Sequence, residues 1–156
     1  MMAQARILVD GNELLQQWPK LAALQAKHTE AILEELVNLL TQYVDTEGTP
    51  ITVVLLDEEG LEDIVETFST PEVEILCVPH GQSPHQSLER LAYRWARHGQ
   101  VQVVADNFAG REKIHQLGGS ALGCKEFIHQ LESILNNLER EIEELNQREQ
   151  KKFSHQ

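Results

Sequence analysis

The chain alternates short apolar runs with longer segments in which apolar residues recur every three to four positions. Runs of four to six mostly apolar residues are typical of strands buried on both faces of a parallel sheet, whereas the longer period is typical of helices packed on it. Four runs are predicted as strands: 6–9, 51–56, 73–78 and 101–105. Helices are predicted at 29–43, 59–67, 84–98 and 109–116, and a loop with a short helix at 12–24.

This order predicts an α/β fold. Strands that alternate with helices form a three-layer α/β/α sandwich with a mostly parallel central sheet, here of about four strands joined by right-handed crossovers. The length of 156 residues suits one such domain, which we place at 1–124.

A long amphipathic helix is predicted for the remaining segment, 125–156. Its apolar positions step by three and four residues alternately, which is the seam of a short coiled coil: Ile128, Leu131, Leu135, Leu138, Ile142 and Leu145. We expect the first half to pack on the domain and the end to project, where it offers a surface for a homodimer or for a partner protein.

Acids follow three of the predicted strands. Asp10 ends the first strand, Asp57 follows the second, and Asp106-Asn107 follows the fourth. The carboxyl ends of parallel strands meet at one edge of the sheet, where α/β proteins bind ligands. Gathered carboxylates suit Mg²⁺ or Mn²⁺, and two such ions orient water for phosphodiester hydrolysis. The alternative is that each Asp only begins a turn or caps a helix.

Charge divides the chain into two parts. The formal net charge is −12, and no Lys or Arg occurs between His28 and Arg90, which argues against diffuse binding to nucleic acid. Arg90, Arg94 and Arg97 then recur at helical spacing, and Arg111 follows the next strand. An anionic partner is therefore expected to approach from this second part. The alternative is a solvated helix face with local ion pairs.

Cysteine content and hydropathy indicate the cellular compartment in which the protein is expected. Cys77 and Cys124 lack the spacing of a zinc site, and reduced thiols are expected. Every apolar run is far shorter than the roughly 20 residues that span a bilayer, and the start has no signal-peptide pattern. We expect a cytoplasmic protein without a membrane partner.

Several short motifs, in order along nearly the whole chain, resemble the YacP-like branch of NYN domains, which are PIN-like ribonucleases. They are Ile-Leu-Val-Asp-Gly at 7–11, Trp-Pro at 18–19, Val-Val-Leu-Leu-Asp at 53–57, Leu-Glu-Arg-Leu at 88–91, Val-Val-Ala-Asp at 103–106 and Gly-Gly-Ser-Ala-Leu at 118–122. The resemblance implies a PIN-like α/β/α fold and metal-dependent endoribonuclease activity, in bacterial members on mRNA in association with ribosomes.

The resemblance also assigns site residues. Asp10 and Asp57 match the family's acids after the first two strands, and Glu13 replaces its Asn in the first motif. His85 stands where a metal-binding Asp is expected, and the family's Ser-Asp reads Asp106-Asn107. Imidazole suits Mn²⁺, Zn²⁺ or Fe²⁺ better than Mg²⁺, whereas a protonated His85 could contact phosphate directly.

The candidate residues fall into three groups. The catalytic candidates are Asp10, Asp57 and Asp106. The candidate ligands of Mg²⁺ or Mn²⁺ are Asp10, Glu13, Asp57 and Asp106. The candidate RNA contacts are Asn12, His85, Arg90, Arg94, Asn107 and Arg111.

Three functions compete. The first is the metal-dependent endoribonuclease. The second is a catalytically degenerate relative that binds RNA, a ribosome or a protein without cleavage. The third, a receiver-like phosphoacceptor that uses Asp57, is disfavoured because no Lys follows a late strand as receivers require.

Two further features each have two interpretations. The glycine-rich segment at 118–123 is either a weak phosphate loop or, as we favour, a closely packed turn. Trp95 either stacks on a base or, as we favour, packs on the sheet with the apolar face of its helix.

Overall fold

A computed structural model describes residues 4–23, 29–57, 60–79 and 81–154. Three predicted ends lie outside these ranges: Leu24 at the end of the predicted segment 12–24, the predicted helix start at Glu59, and the last two residues of the predicted terminal helix. The described residues form a parallel sheet whose five strands run in the order β3-β2-β1-β4-β5. Their bounds are β1 (Gln4–Asp10), β2 (Ile51–Leu56), β3 (Val73–Val78), β4 (Gly99–Val104) and β5 (Ser120–Leu122).

Seven helices of the described residues cover the sheet. They are α1 (Gly11–Gln17), α2 (Pro19–Ala22), α3 (Thr29–Glu47), α4 (Leu61–Phe68), α5 (Pro84–Ala96), α6 (Arg111–Gln116) and α7 (Cys124–Ser154). Side chains of α1–α4 and α7 pack in one apolar core, and those of α5 and α6 in a second core. The sheet separates the two cores, so the predicted α/β/α sandwich is confirmed.

The sheet has one strand more than predicted. β5 pairs in parallel with β4, and its three residues are half-buried. A strand this short has no apolar run to mark it. In the glycine-rich segment 118–123 the favoured close packing holds at Gly119, where an added Cβ would lie 2.5 Å from the carbonyl oxygen of Val101. It does not hold at Gly118, where an added Cβ would have no described atom within 4 Å.

The segment after β1 also differs from the prediction. Helix α1 begins directly at Gly11, and Trp18 alone separates it from α2, which begins at Pro19. The sequence predicts a loop and a short helix over 12–24 with an interruption at Trp18-Pro19; the interruption is confirmed, but a helix replaces the loop. The signal for this helix start is Asp10 at the N-cap followed three residues later by Glu13, which is the sequence of a capping box. Only the bond from the Glu13 N–H to the Asp10 side chain is formed, because the Glu13 carboxylate has other partners.

Helix α7 has two environments. Phe127, Ile128, Leu131 and Leu135 are buried against the domain, whereas Ile142 and Leu145 are each 58% exposed. The role of this exposed half in a homodimer or with a partner protein stays a prediction. None of the helices in the described ranges is both long and apolar enough to cross a bilayer.

A partly buried hydrogen bond connects α7 to Trp18, between α1 and α2. The indole of Trp18 is fully buried, and its Nε1 donates to Oε1 of Glu132 at 3.2 Å. We expect Glu132→Ala to lower the free energy of unfolding by about 1–2 kcal/mol, because it leaves a buried N–H without an acceptor. Urea denaturation measures this, with Glu139→Ala on the exposed part of the same helix as control. Equal stability of the two variants would contradict the expectation.

Candidate metal centre

Asp10 is the buried acid at the centre of the sheet's carboxyl edge. Its side chain is the N-cap of α1, where one oxygen accepts from the backbone N–H of Glu13 at 3.2 Å. The residue is only 3% exposed. The turn into α1 needs glycine next, because a Cβ at Gly11 would lie 2.5–2.9 Å from atoms of β2. The Asp-Gly pair therefore lets a helix start tightly against the sheet with a carboxylate at its tip.

Glu13, one turn into α1, connects Asp10 to two other parts of the chain. One of its oxygens lies 2.6 Å from Nε2 of His85, and the other accepts from the backbone N–H of Asp106 at 2.7 Å. Nε2 of His85 also lies 3.2 Å from Oδ2 of Asp10. The first turn of α5 and the end of β4 thus meet at the first turn of α1.

Asp106 is held in place by neighbours that sequence reasoning missed. Its Oδ1 accepts from the backbone N–H of Cys124 at 3.1 Å, and its Oδ2 accepts a short hydrogen bond from Nε2 of Gln17. Sγ of Cys124 lies 3.8 Å from the second oxygen of Glu13. Neither Gln17 nor Cys124 has a sequence signal of its own, since only the fold brings α1 and the start of α7 together.

The electrostatics of the acid cluster, formed by Asp10, Glu13, His85, Asp106 and Cys124, disfavour an ionised Asp10 without a cation beside it. Burial raises the pKa of Asp10 above its ordinary value of 3.8, and the charge of Glu13 raises it further, against the effects of the cap and of His85. Burial, followed by the charges of Asp106 and Glu13, raises the pKa of the Cys124 thiol to about 12. A positive ion bound among these groups would stabilise both the Asp10 carboxylate and the Cys124 thiolate.

Two sets of ligand atoms in the described residues are close enough to hold such an ion. Asp10, Glu13 and His85 form one set, and Glu13, Asp106 and Cys124 form the other, with ligand atoms within 4.8 Å of one another in each. Glu13 is shared and offers a different oxygen to each side. Three carboxylates and an imidazole suit Mn²⁺ and similar ions, so the residues present fit a divalent metal.

Asp57 is not part of either set. The strand register explains this, because Asp10 pairs with Val54. Asp57 therefore lies three residues, or about 10 Å at 3.3 Å per residue, beyond the level of Asp10. By contrast Val9 pairs with Val104, which places Asp106 only one residue beyond that level. The assignment of Asp57 as a ligand stays a prediction. Burial raises the pKa of the Cys77 thiol, and the charge of Asp57 adds to this effect.

The predicted RNA contacts are spread over four places, the first of which is the acid cluster with His85. The side-chain oxygen of Asn12 accepts from the backbone N–H of Leu56 at 2.9 Å, so it braces α1 on β2. Arg90 and Arg94 line a groove of about 280 Å³ beside β3, and none of the cluster's ligands lines it. Asn107 and Arg111 line a cavity of about 440 Å³ that Asp106 also lines.

Trp95 is half-buried, as the favoured interpretation expects, but it also has a charged partner. The guanidinium carbon of Arg6 lies 4.3 Å from the centre of its ring. A cation–π contact of this kind stabilises the pair and covers one face of the indole. Base stacking on that face is therefore blocked.

Comparisons with known proteins agree with this fold. The model of the YacP-like NYN domain matches residues 7–156. The uncharacterized protein YacP of Bacillus subtilis (strain 168) is 21% identical over 140 residues, which is 89% of this chain and 82% of that protein. The crystal structure of Rae1 (YacP) from Bacillus subtilis matches with a TM-score of 0.73 at 22% identity, over 92% of this chain and 82% of that one. A mutant of the same protein gives 0.72 at 20% identity, over 92% and 85%.

Proposed function

Because the chain belongs to the YacP-like NYN domain family, a family with a PIN-like nuclease fold, we propose that it is a divalent-metal-dependent endoribonuclease. The observation that carries the proposal is the meeting of Asp10, Glu13, His85 and Asp106 at the carboxyl edge of the sheet. A bound Mn²⁺ or Mg²⁺ would supply a polarised water and charge stabilisation for phosphodiester hydrolysis.

The chain's own residues have distinct tasks in this proposal. Asp10 and Asp106 would hold the ion through carboxylate oxygens, and Glu13, which belongs to both sets of ligand atoms, would serve both. The cap hydrogen bond fixes Asp10, while Gln17 and the backbone N–H of Cys124 fix Asp106. Ligands fixed by such partners lose little freedom when an ion binds, which strengthens binding.

Charge supports a defined direction of approach for RNA. The acidic part of the chain repels a polyanion, whereas Arg90, Arg94 and Arg111 are exposed on α5 and α6. We place the RNA along these two helices, with the scissile phosphate at the cluster. Cytoplasmic mRNA on ribosomes is the substrate that we propose from the family resemblance.

The test is cleavage of a 5′-labelled mRNA fragment, free and in a ribosome complex, in Mn²⁺, in Mg²⁺ and in EDTA. We expect internal cuts in a divalent metal that EDTA abolishes. Asp106→Asn should lower the rate, whereas Asp45→Asn, which alters an exposed acid on α3, should not. The absence of metal-dependent cuts in both forms of the substrate would refute the endoribonuclease.

One observation favours a second function, RNA binding without cleavage. In the described residues, hydrogen bonds already engage Asp10, Glu13 and Asp106, and the His85 ring lies against two of them. An ion must displace or share these contacts. Calorimetric titration with Mn²⁺ separates the two functions, because the binding protein alone would show RNA affinity without a metal isotherm.

A further inference from the structure

The cavity beside Asp106 is also lined by three polar residues that are not candidate metal ligands: Asn107, Arg111 and Glu126. Its volume is about 440 Å³, which falls within the roughly 300–1,000 Å³ of sites for small organic ligands. The loop after β4 lines one side and the start of α7 lines the other. Asp106 belongs both to this cavity and to the acid cluster, so a ligand here lies directly beside the candidate metal centre.

Two charged side chains of opposite sign line the cavity without pairing. Arg111 and Glu126 are both exposed, and neither side chain has a hydrogen bond or ion pair with any other residue that the structure describes. A guanidinium presents a fork of donors that matches phosphate oxygens. A carboxylate can only accept, so its ligand must bring O–H or N–H donors.

We propose that this cavity binds one ribonucleotide of the substrate strand next to the scissile bond, with Arg111 on its phosphate and Glu126 on its ribose 2′-hydroxyl. The proposal rests on the proposed function and adds the basis of substrate choice. The 2′-hydroxyl is the donor that every ribonucleotide carries close to its phosphate and that DNA lacks.

The Glu126 carboxylate also disfavours the binding of DNA. Near a phosphodiester strand Glu126 repels the backbone unless a donor from the ligand compensates for it. DNA brings the same phosphates without that donor, and unpaired charge of this kind is a means of rejecting a competitor. Arg111 thus supplies affinity for any strand, and Glu126 makes the cavity selective for RNA.

The loop after β4 exposes this lining through one unusual residue. Asn107 has φ of 53°, a left-handed conformation that asparagine adopts more readily than most residues. Residues 105–108 all line the cavity as a result of this turn, with Phe108 as a buried wall. The loop therefore presents one apolar surface for a sugar or base together with two polar side chains.

The test compares binding of labelled RNA and DNA hexanucleotides of the same sequence by fluorescence anisotropy, with the full chain in EDTA at low ionic strength. We expect Glu126→Ala to weaken RNA binding about 10- to 100-fold, the effect of one hydrogen bond to a charged group, without weakening DNA binding. Arg111→Ala should weaken both equally. Lys125→Ala is the matched control, since Lys125 is exposed and adjacent to Glu126 but does not line the cavity.

Several results would contradict the proposal that this cavity binds a ribonucleotide. These are no RNA binding by the wild type, an equal effect of Glu126→Ala on RNA and DNA, or an Arg111→Ala variant that behaves like the control. Cleavage in Mn²⁺, measured separately, distinguishes the two proposals. A wild type that cleaves RNA while its cavity variants match the control refutes only the cavity. The expected binding pattern without cleavage refutes only the nuclease.

Discussion

Asp10→Asn is expected to abolish metal-dependent RNA cleavage and, in the absence of metal, to make the protein more stable. Loss of a central carboxylate ligand should lower the cleavage rate by more than about 100-fold, since one well-placed electrostatic group is worth that much in a transition state. The gain in stability has a separate cause, because burial holds the pKa of Asp10 above 3.8. An ionised carboxylate there costs the folded state free energy.

The direction in which this gain in stability changes with pH follows from the raised pKa of Asp10. Between 3.8 and the raised pKa of Asp10, the folded protein keeps a proton that the unfolded chain has released. Stability of the wild type therefore falls as pH rises through this window, and the loss persists above it. Asparagine does not titrate, and it is an equally good N-cap, so the capping hydrogen bond survives.

Thermal denaturation in EDTA measures the effect at a series of pH values. At pH 8 we expect the melting temperature of Asp10→Asn to exceed that of the wild type by roughly 2–4 °C, which corresponds to about 1 kcal/mol in a domain of this size. The difference should shrink below pH 4. Asp45→Asn, an exposed acid, serves as control. A lower melting temperature of Asp10→Asn than of the wild type at pH 8 would show that the Asp10 charge stabilises the fold and does not destabilise it.

The sequence predicted those parts of the fold that depend on apolar runs. Strands β1 to β4 are long enough to show as runs, and the period of α3 and α5 is regular. The three-residue β5 could not be found this way, because pairing with β4 and not its own composition makes it a strand. Its parallel register depends on contacts that no local pattern contains.

The site was predictable only where strand ends and register agree. Asp10 and Asp106 follow neighbouring strands whose register places them at nearly the same level, so counting strand-end acids found both. The same counting placed Asp57 with them, but β2 continues past β1 before it ends. Gln17 and Cys124 reach the cluster through helix packing, which is a tertiary effect.

At His85, a substitution seen in the sequence can be compared directly with its position in the structure. Family resemblance expects a metal-binding Asp at this position, and the structure puts the imidazole against both Asp10 and Glu13. The substitution therefore replaces one candidate ligand by another and keeps the residue at the site. Nitrogen ligands are less suited to Mg²⁺ than to Mn²⁺, so the wild type should work better with Mn²⁺.

His85→Asp is accordingly expected to shift metal use toward Mg²⁺. A hard oxygen ligand replaces the imidazole, so the ratio of the Mg²⁺-supported to the Mn²⁺-supported cleavage rate should rise about 10- to 100-fold, the usual range for a change around a bound metal. Without metal, a third carboxylate beside Asp10 and Glu13 adds repulsion, and the melting temperature in EDTA should fall. Added Mg²⁺ should then raise the melting temperature of the variant more than that of the wild type.

Rates at saturating concentrations of each metal, together with melting curves, test this expectation. His98→Asp is the matched control, because it places the same change beyond the other end of α5, about 20 Å away at 1.5 Å per residue. His85→Asn, a neutral oxygen ligand, separates ligand chemistry from added charge. If His85→Asp leaves both the rate ratio and the Mg²⁺-induced rise in melting temperature at the control values, the residue at 85 does not contact the metal. The carboxylates at the carboxyl edge would then bind the ion by themselves.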